Sequence, residues 1–189
     1  MKSQLLVSPS GTHYSASKAI HPDTGGLSEY RKLRKSSSGE QWEQAAATEI
    51  GRLTQGNLPH MTTGTNTMAF IRRNQVPHDR KAVELKIVSA DKPNKAIKER
   101  IRFTVRGDQV EYPDDVSTKT AALTSVKILL NSVLSPPGAE FMTGDIENFY
   151  LNNVMKRKEY MRIPIGDIPQ TIIEQYNLLP LLSNGYVYV

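Results

Sequence analysis

The period of the apolar positions changes several times along the chain, and each change marks an expected element. Trp42, Ala46, Ile50 and Leu53 recur at spacings of four, four and three, which predicts a helix over residues 40–53 with those four side chains on one face. Gly56 and Pro59 are its expected stop. Met68-Ala69-Phe70-Ile71 reads as a short strand, and residues 82–88 as a longer one, because Val83, Leu85 and Ile87 alternate with charged neighbours. A turn at Asp91-Lys92-Pro93-Asn94 precedes Arg100–Arg106, where charged and apolar residues again alternate at period two until Gly107-Asp108. The two segments make a hairpin with one basic face. Helical spacing returns at Leu123, Val126, Leu130 and Val133, with Ser117 or Thr118 available as N-cap and Pro136-Pro137-Gly138 as terminator. Strands are expected at 141–147, 159–163 and from Tyr186 onward, and a short helix at 167–176. That order describes an α+β protein, mainly an antiparallel sheet with packed helices.

Residues 1–39 follow a different rule. They hold nine serines, scattered Gly and Pro, and a basic cluster at Arg31, Lys32, Arg34 and Lys35, and are expected to be a disordered leader ahead of one domain over 40–189. At 189 residues the chain is long enough for one core and short for two. The net charge is +5, but its distribution is more telling: Arg72 to Arg106 contains eleven Lys/Arg and four acids. Such a stretch suits a polyanionic partner. The lack of cysteine excludes disulfides and thiolate metal sites, leaving oxygen ligands and a hard cation such as magnesium as the accessible metal chemistry. No apolar run has the length of a secretory signal or a membrane span, so an intracellular protein, cytoplasmic or nuclear, is expected.

The residue that most needs a chemical reason is Asp145, a carboxylate inside the apolar pattern Phe141-Met142-Thr143-Gly144-Asp145-Ile146. An unpaired buried charge costs several kcal/mol. Asp145 is therefore either hydrogen-bonded at a strand end or holds a cation. The order Asp145-Ile146-x-Asn148-Phe149-Tyr150-Leu151, followed by Tyr160-Met161-Arg162-Ile163-Pro164, resembles the first catalytic block of copia-type retrotransposon reverse transcriptases. The resemblance runs in order from Trp42-Glu43-x-Ala45, through Arg100-x-Arg102-Phe103-x-Val105-Arg106-Gly107, to Tyr160-Met161. At the second of these points the family carries a lysine where this chain has Arg100.

By that resemblance the chain covers the fingers and the beginning of the palm of a right-hand RNA-directed DNA polymerase. It implies that Asp145, with the backbone carbonyl of Ile146, binds catalytic magnesium, and that Arg100 and Arg102 contact the triphosphate of the incoming nucleotide. It also implies that Tyr150 lies under the sugar and favours deoxynucleotides, and that RNA template, DNA primer and the remainder of a polyprotein are the partners. Two metal ions need carboxylates on both sides of the transferred phosphorus. The only Tyr-x-Asp-Asp string here, Tyr112-Pro113-Asp114-Asp115, precedes Asp145 and leads into a helix, so Asp114 and Asp115 read as turn and helix-entry residues. The chain alone is accordingly expected to be inactive as a polymerase. Two other classes remain open: a basic remnant that binds nucleic acid without sequence preference, and a structural or interaction module. The four histidines, 13, 21, 60 and 78, show no metal-ligand spacing, and no Gly-rich phosphate loop is present.

Overall fold

The computed structural model describes residues 6–7, 13–14, 17–92, 97–106, 109–110, 120–144, 146, 148–149, 151, 153–155 and 157–189. They fall into two compact units, one of Met1–Val110 with Val154–Val189, the other of Glu111–Asn153. Among the described residues the chain is mixed α and β, with strands β1 (Leu6–Val7), β2 (His13–Tyr14), β3 (Ala19–Ile20) and β4 (Leu27–Ser28), then helices α1 (Tyr30–Leu33) and α2 (Gly39–Leu53). Strands β5 (Val83–Asp91) and β6 (Glu99–Val105), helix α3 (Leu123–Leu134), strand β7 (Met161–Pro164), helix α4 (Gln170–Gln175) and strand β8 (Tyr186–Tyr188) follow. No helix among these residues is long and apolar enough to cross a membrane.

In the first unit a four-stranded sheet has the order β6-β5-β7-β8. The β5–β6 and β7–β8 pairs are antiparallel and β5–β7 is parallel. Period-two alternation decides what each strand buries. Leu85 lies opposite Val105, Ile87 opposite Phe103 and Ser89 opposite Ile101, and this face meets the helices. Ala47 and Ile50 of α2 and Ile172 and Ile173 of α4 pack with Leu85, Ile163 and Val187 in one core cluster. A second cluster joins Tyr30 and Leu33 of α1 and Trp42 and Ala46 of α2 to Ala19 and Ile101, with Ile87 and Phe103 touching both. The helical stripe read from Trp42, Ala46 and Ile50 is thus the buried face of α2, and Trp42 is a core residue.

The C-terminus of α2 shows why Met68–Ile71 is not the strand its composition suggests. The last carbonyls of a helix lack intrahelical partners. Here the returning chain supplies them: the N–H groups of Thr65, Asn66 and Met68 donate to the carbonyls of Arg52, Thr54 and Leu53 at 2.7, 2.8 and 2.8 Å. With the chain held at this cap through Met68, the segment reaches the sheet at an isolated bridge between Ile71 and Tyr188. The return passes so close that a Cβ on Gly64 would lie 2.2 Å from the Gly51 carbonyl oxygen. Tyr176, just after α4, closes the same corner by donating its hydroxyl to the Gly56 carbonyl at 2.6 Å.

Residues 17–39 depart from the disordered leader expected of them. β3 and β4 form a small antiparallel ladder, and Tyr30 and Leu33 are buried. Serine content obscured this, because only three apolar side chains, Ala19, Tyr30 and Leu33, are needed to complete the cluster around Trp42. Arg31 then donates two hydrogen bonds, at 2.6 and 2.5 Å, to the nearly buried carboxylate of Asp167, holding α1 to the turn after β7. That carboxylate raises the Arg31 pKa further, through its hydrogen bonds first and its charge second.

In the second unit α3 begins at Leu123 rather than at the expected cap, and Ser117 and Thr118 lie outside the described residues. Residues 141–144 form no strand, and Phe141 and Met142 are exposed, which corrects the strand expected over 141–147 across its described part. A run of strand-like composition becomes a strand only where a neighbour offers a ladder, and among the described residues of this unit none does. The expected 167–176 helix is divided: a 3-10 turn covers Ile165–Asp167, and α4 starts at Gln170, after Pro169.

If residues 17–39 belong to the fold, Leu33→Ala should lower stability by about 3 kcal/mol, the cost of a buried leucine cavity. Urea unfolding checks this, and a disordered leader would leave the midpoint unchanged.

Candidate nucleic-acid interface

The face of the β5–β6 hairpin opposite the core carries Lys86, Val88 and Ala90 on β5 and Arg100, Arg102 and Thr104 on β6. Arg100 lies opposite Ala90, Arg102 opposite Val88 and Thr104 opposite Lys86. Side chains two apart in a strand leave the same side, so Arg100 and Arg102 share this face, as their spacing predicts. Lys86, Arg102 and Thr104 are exposed and Arg100 is half-buried. Thr104 ties the two strands by donating its hydroxyl to the Lys86 carbonyl at 3.2 Å.

The electrostatics of the pair favour an anion. Arg100 has its pKa pushed below the usual arginine value by burial first and by the neighbouring Arg102 charge second; Glu49 of α2 opposes this and Arg52 adds to it. The guanidinium remains cationic at neutral pH, so the shift expresses repulsion and reduced hydration that an incoming anion relieves. Among the described residues no carboxylate forms an ion pair with Arg100, Arg102 or Lys86, whereas Arg31, Arg34, Arg80 and Arg157 are each paired to one.

A second cationic group on the sheet was not visible in the spacing of the sequence. Arg162 on β7 lies opposite Glu84 of β5 on one side and Tyr188 of β8 on the other. Its guanidinium carbon sits 4.7 Å from the centre of the Tyr186 ring. Its approach to Glu84 is 3.6 Å, outside hydrogen-bond range, and its buried Nε finds no acceptor among the described residues. Nearby, Arg73 stands over the Tyr188 ring at 5.4 Å and Arg80 over the Tyr160 ring at 5.6 Å. The signal available in advance was the alternation Tyr160-x-Arg162 and Tyr186-x-Tyr188, which says which residues share a face but not that the two strands pair.

Of the other expected site residues, Asp145 and Tyr150 lie outside the described residues, as do Asp114 and Asp115. Ile146 is described and exposed, in irregular chain of the second unit. For magnesium, the described residues hold no group of three or more His, Cys, Asp or Glu side chains able to bind a metal ion. No protein-family model, no curated protein and no solved structure matches the chain.

The alternation predicts opposite consequences for neighbouring residues. Arg102→Ala should change stability by no more than about 0.5 kcal/mol, as for other exposed positions, while Ile101→Ala should remove roughly 2–4 kcal/mol. Thermal unfolding of the two variants checks the assignment of faces.

Proposed function

We propose that this chain is the fingers and the first part of the palm of a copia-type RNA-directed DNA polymerase, and that the outward face of the β5–β6 hairpin is where it meets phosphate. The observation that carries the reading is the pair Arg100 and Arg102: two cations on one strand face, Arg102 exposed and Arg100 half-buried, with no carboxylate within ion-pair distance among the described residues, in the segment whose sequence resembles the family's fingers block. An arginine fork matches phosphate oxygens in geometry as well as charge. In this reading Asp145 and the Ile146 carbonyl would hold magnesium, and Tyr150 would lie under the sugar of the incoming deoxynucleotide. RNA template and DNA primer are the partners the reading requires.

Binding of a labelled RNA–DNA hybrid, followed by fluorescence anisotropy across a salt series, tests the phosphate interaction. Replacing Arg100 and Arg102 together with Ala should weaken binding and reduce the salt slope by about 0.7–0.9 for each phosphate no longer neutralised, with the circular dichroism spectrum unchanged. A slope equal to the parent's would make these arginines ordinary solvated surface and remove the physical support for the reading.

A further inference from the structure

The cations of the hairpin continue across the sheet. Each successive outward position of β5 is matched by a basic residue, on β5 itself or on a neighbouring strand. Arg100 of β6 stands at the level of Ala90, Arg102 at the level of Val88, Lys86 at its own level, and Arg162 of β7 at the level of Glu84. Steps of two residues along a strand cover about 6.6 Å and adjacent strands lie about 4.8 Å apart, so the Cα atoms of this diagonal succeed one another at about 7–8 Å. That interval is comparable with the repeat of phosphates along an extended nucleic-acid strand. A lone triphosphate is too short to engage all four residues.

The last member of the row is also the most preorganised. Arg162 is held in place by the Tyr186 ring rather than by hydrogen bonds, and its Nε donor is unsatisfied among the described residues. A guanidinium stacked on an aromatic ring has given up much of its rotamer freedom before a ligand arrives, and although the Nε is buried the Arg162 side chain as a whole is 41% exposed. Glu84 forms an ion pair with it at 3.6 Å, too long for a hydrogen bond.

We infer that the outward face of the four-stranded sheet is a track for single-stranded nucleic acid, running diagonally from Arg100 through Arg102 and Lys86 to Arg162, with Tyr186 as the residue that positions Arg162. A sheet face that combines a line of cations with aromatic and guanidinium planes is an arrangement by which single strands are bound without sequence preference. The inference rests on the hairpin's role in phosphate binding and extends it to a partner: a strand, not a nucleotide, occupies the face. Glu84 is then the acid that tunes the track, because its charge competes with phosphate for Arg162.

The test uses the whole chain and a fluorescein-labelled single-stranded oligonucleotide, with the duplex of the same sequence and a deoxynucleoside triphosphate as comparisons. Arg162→Ala should weaken single-strand binding about tenfold and lower the salt slope by about 0.7, without altering triphosphate binding. Tyr186→Leu should weaken single-strand binding severalfold with a smaller change in slope. Glu84→Gln should tighten it severalfold, a gain that a misfolded variant cannot produce. If Arg162→Ala and Glu84→Gln both match the parent while the Arg100/Arg102 double variant is weakened, the track is wrong and the hairpin's role stands. If the double variant also matches the parent, both readings fail together. Duplex binding as tight as single-strand binding, with the same dependence on Arg162, would overturn the single-strand assignment.

Discussion

The register between β5 and β6 is the constraint on which the rest of the first unit depends. Because side chains alternate with a period of two, one pairing places Leu85, Ile87, Ser89, Ile101 and Phe103 toward the helices and Lys86, Arg100 and Arg102 away from them. A slip of one residue in either strand would carry its charges into the core and its apolar side chains into water. The hydrophobic packing of α2 and the cationic face are thus two results of one alignment. Neither has to be specified separately.

Helix α2 converts that alignment into a packed unit. Beside Trp42 and Ile50 its buried face carries the small residues Ala46, Ala47 and Gly51, which let the helix lie close to β6 and to the returning loop. Its far end is secured by backbone hydrogen bonds from residues 65–68, and its near end by α1, whose Arg31 reaches the Asp167 carboxylate. The Asp167 carboxylate is buried while Arg31 is largely exposed, and a buried charge is offset only when its partner's geometry is good. The paired bonds from Nε and Nη2 to the two carboxylate oxygens meet that condition. The pair therefore joins sequence positions far apart without leaving a bare charge in the interior.

Much of this fold was legible wherever the periodicity was long and regular. The α2 stripe, both hairpin strands, the strand ending at Pro164 and the one beginning at Tyr186 all follow from apolar spacing. What escaped was decided by partners distant in sequence. Met68–Phe70 has strand composition, but the chain leading into it, Thr65–Met68, spends its N–H groups on a helix cap. Phe141–Gly144 begins an apolar stretch of strand-like composition but has no described strand to pair with. Residues 17–39 look like linker by composition, yet Tyr30 and Leu33 complete a core built by Trp42 and Ile101. At the site, the shared face of Arg100 and Arg102 was readable from spacing alone. Its continuation to Arg162 was not, because it depends on the parallel pairing of β5 with β7, which no local pattern announces.

The position of β6 at the margin of the sheet gives its arginines a second physical role, independent of any ligand. A marginal strand exposes a row of unpaired amides and carbonyls, which is a template for adding strands from other molecules. Arg100 and Arg102 place like charges along that margin, with Lys98 just ahead of them. A second copy approaching edge to edge would have to bring its own arginines against these. The same residues that make the face attractive to a polyanion therefore make the strand repellent to itself, and electrostatics opposes growth of the sheet beyond its own four strands.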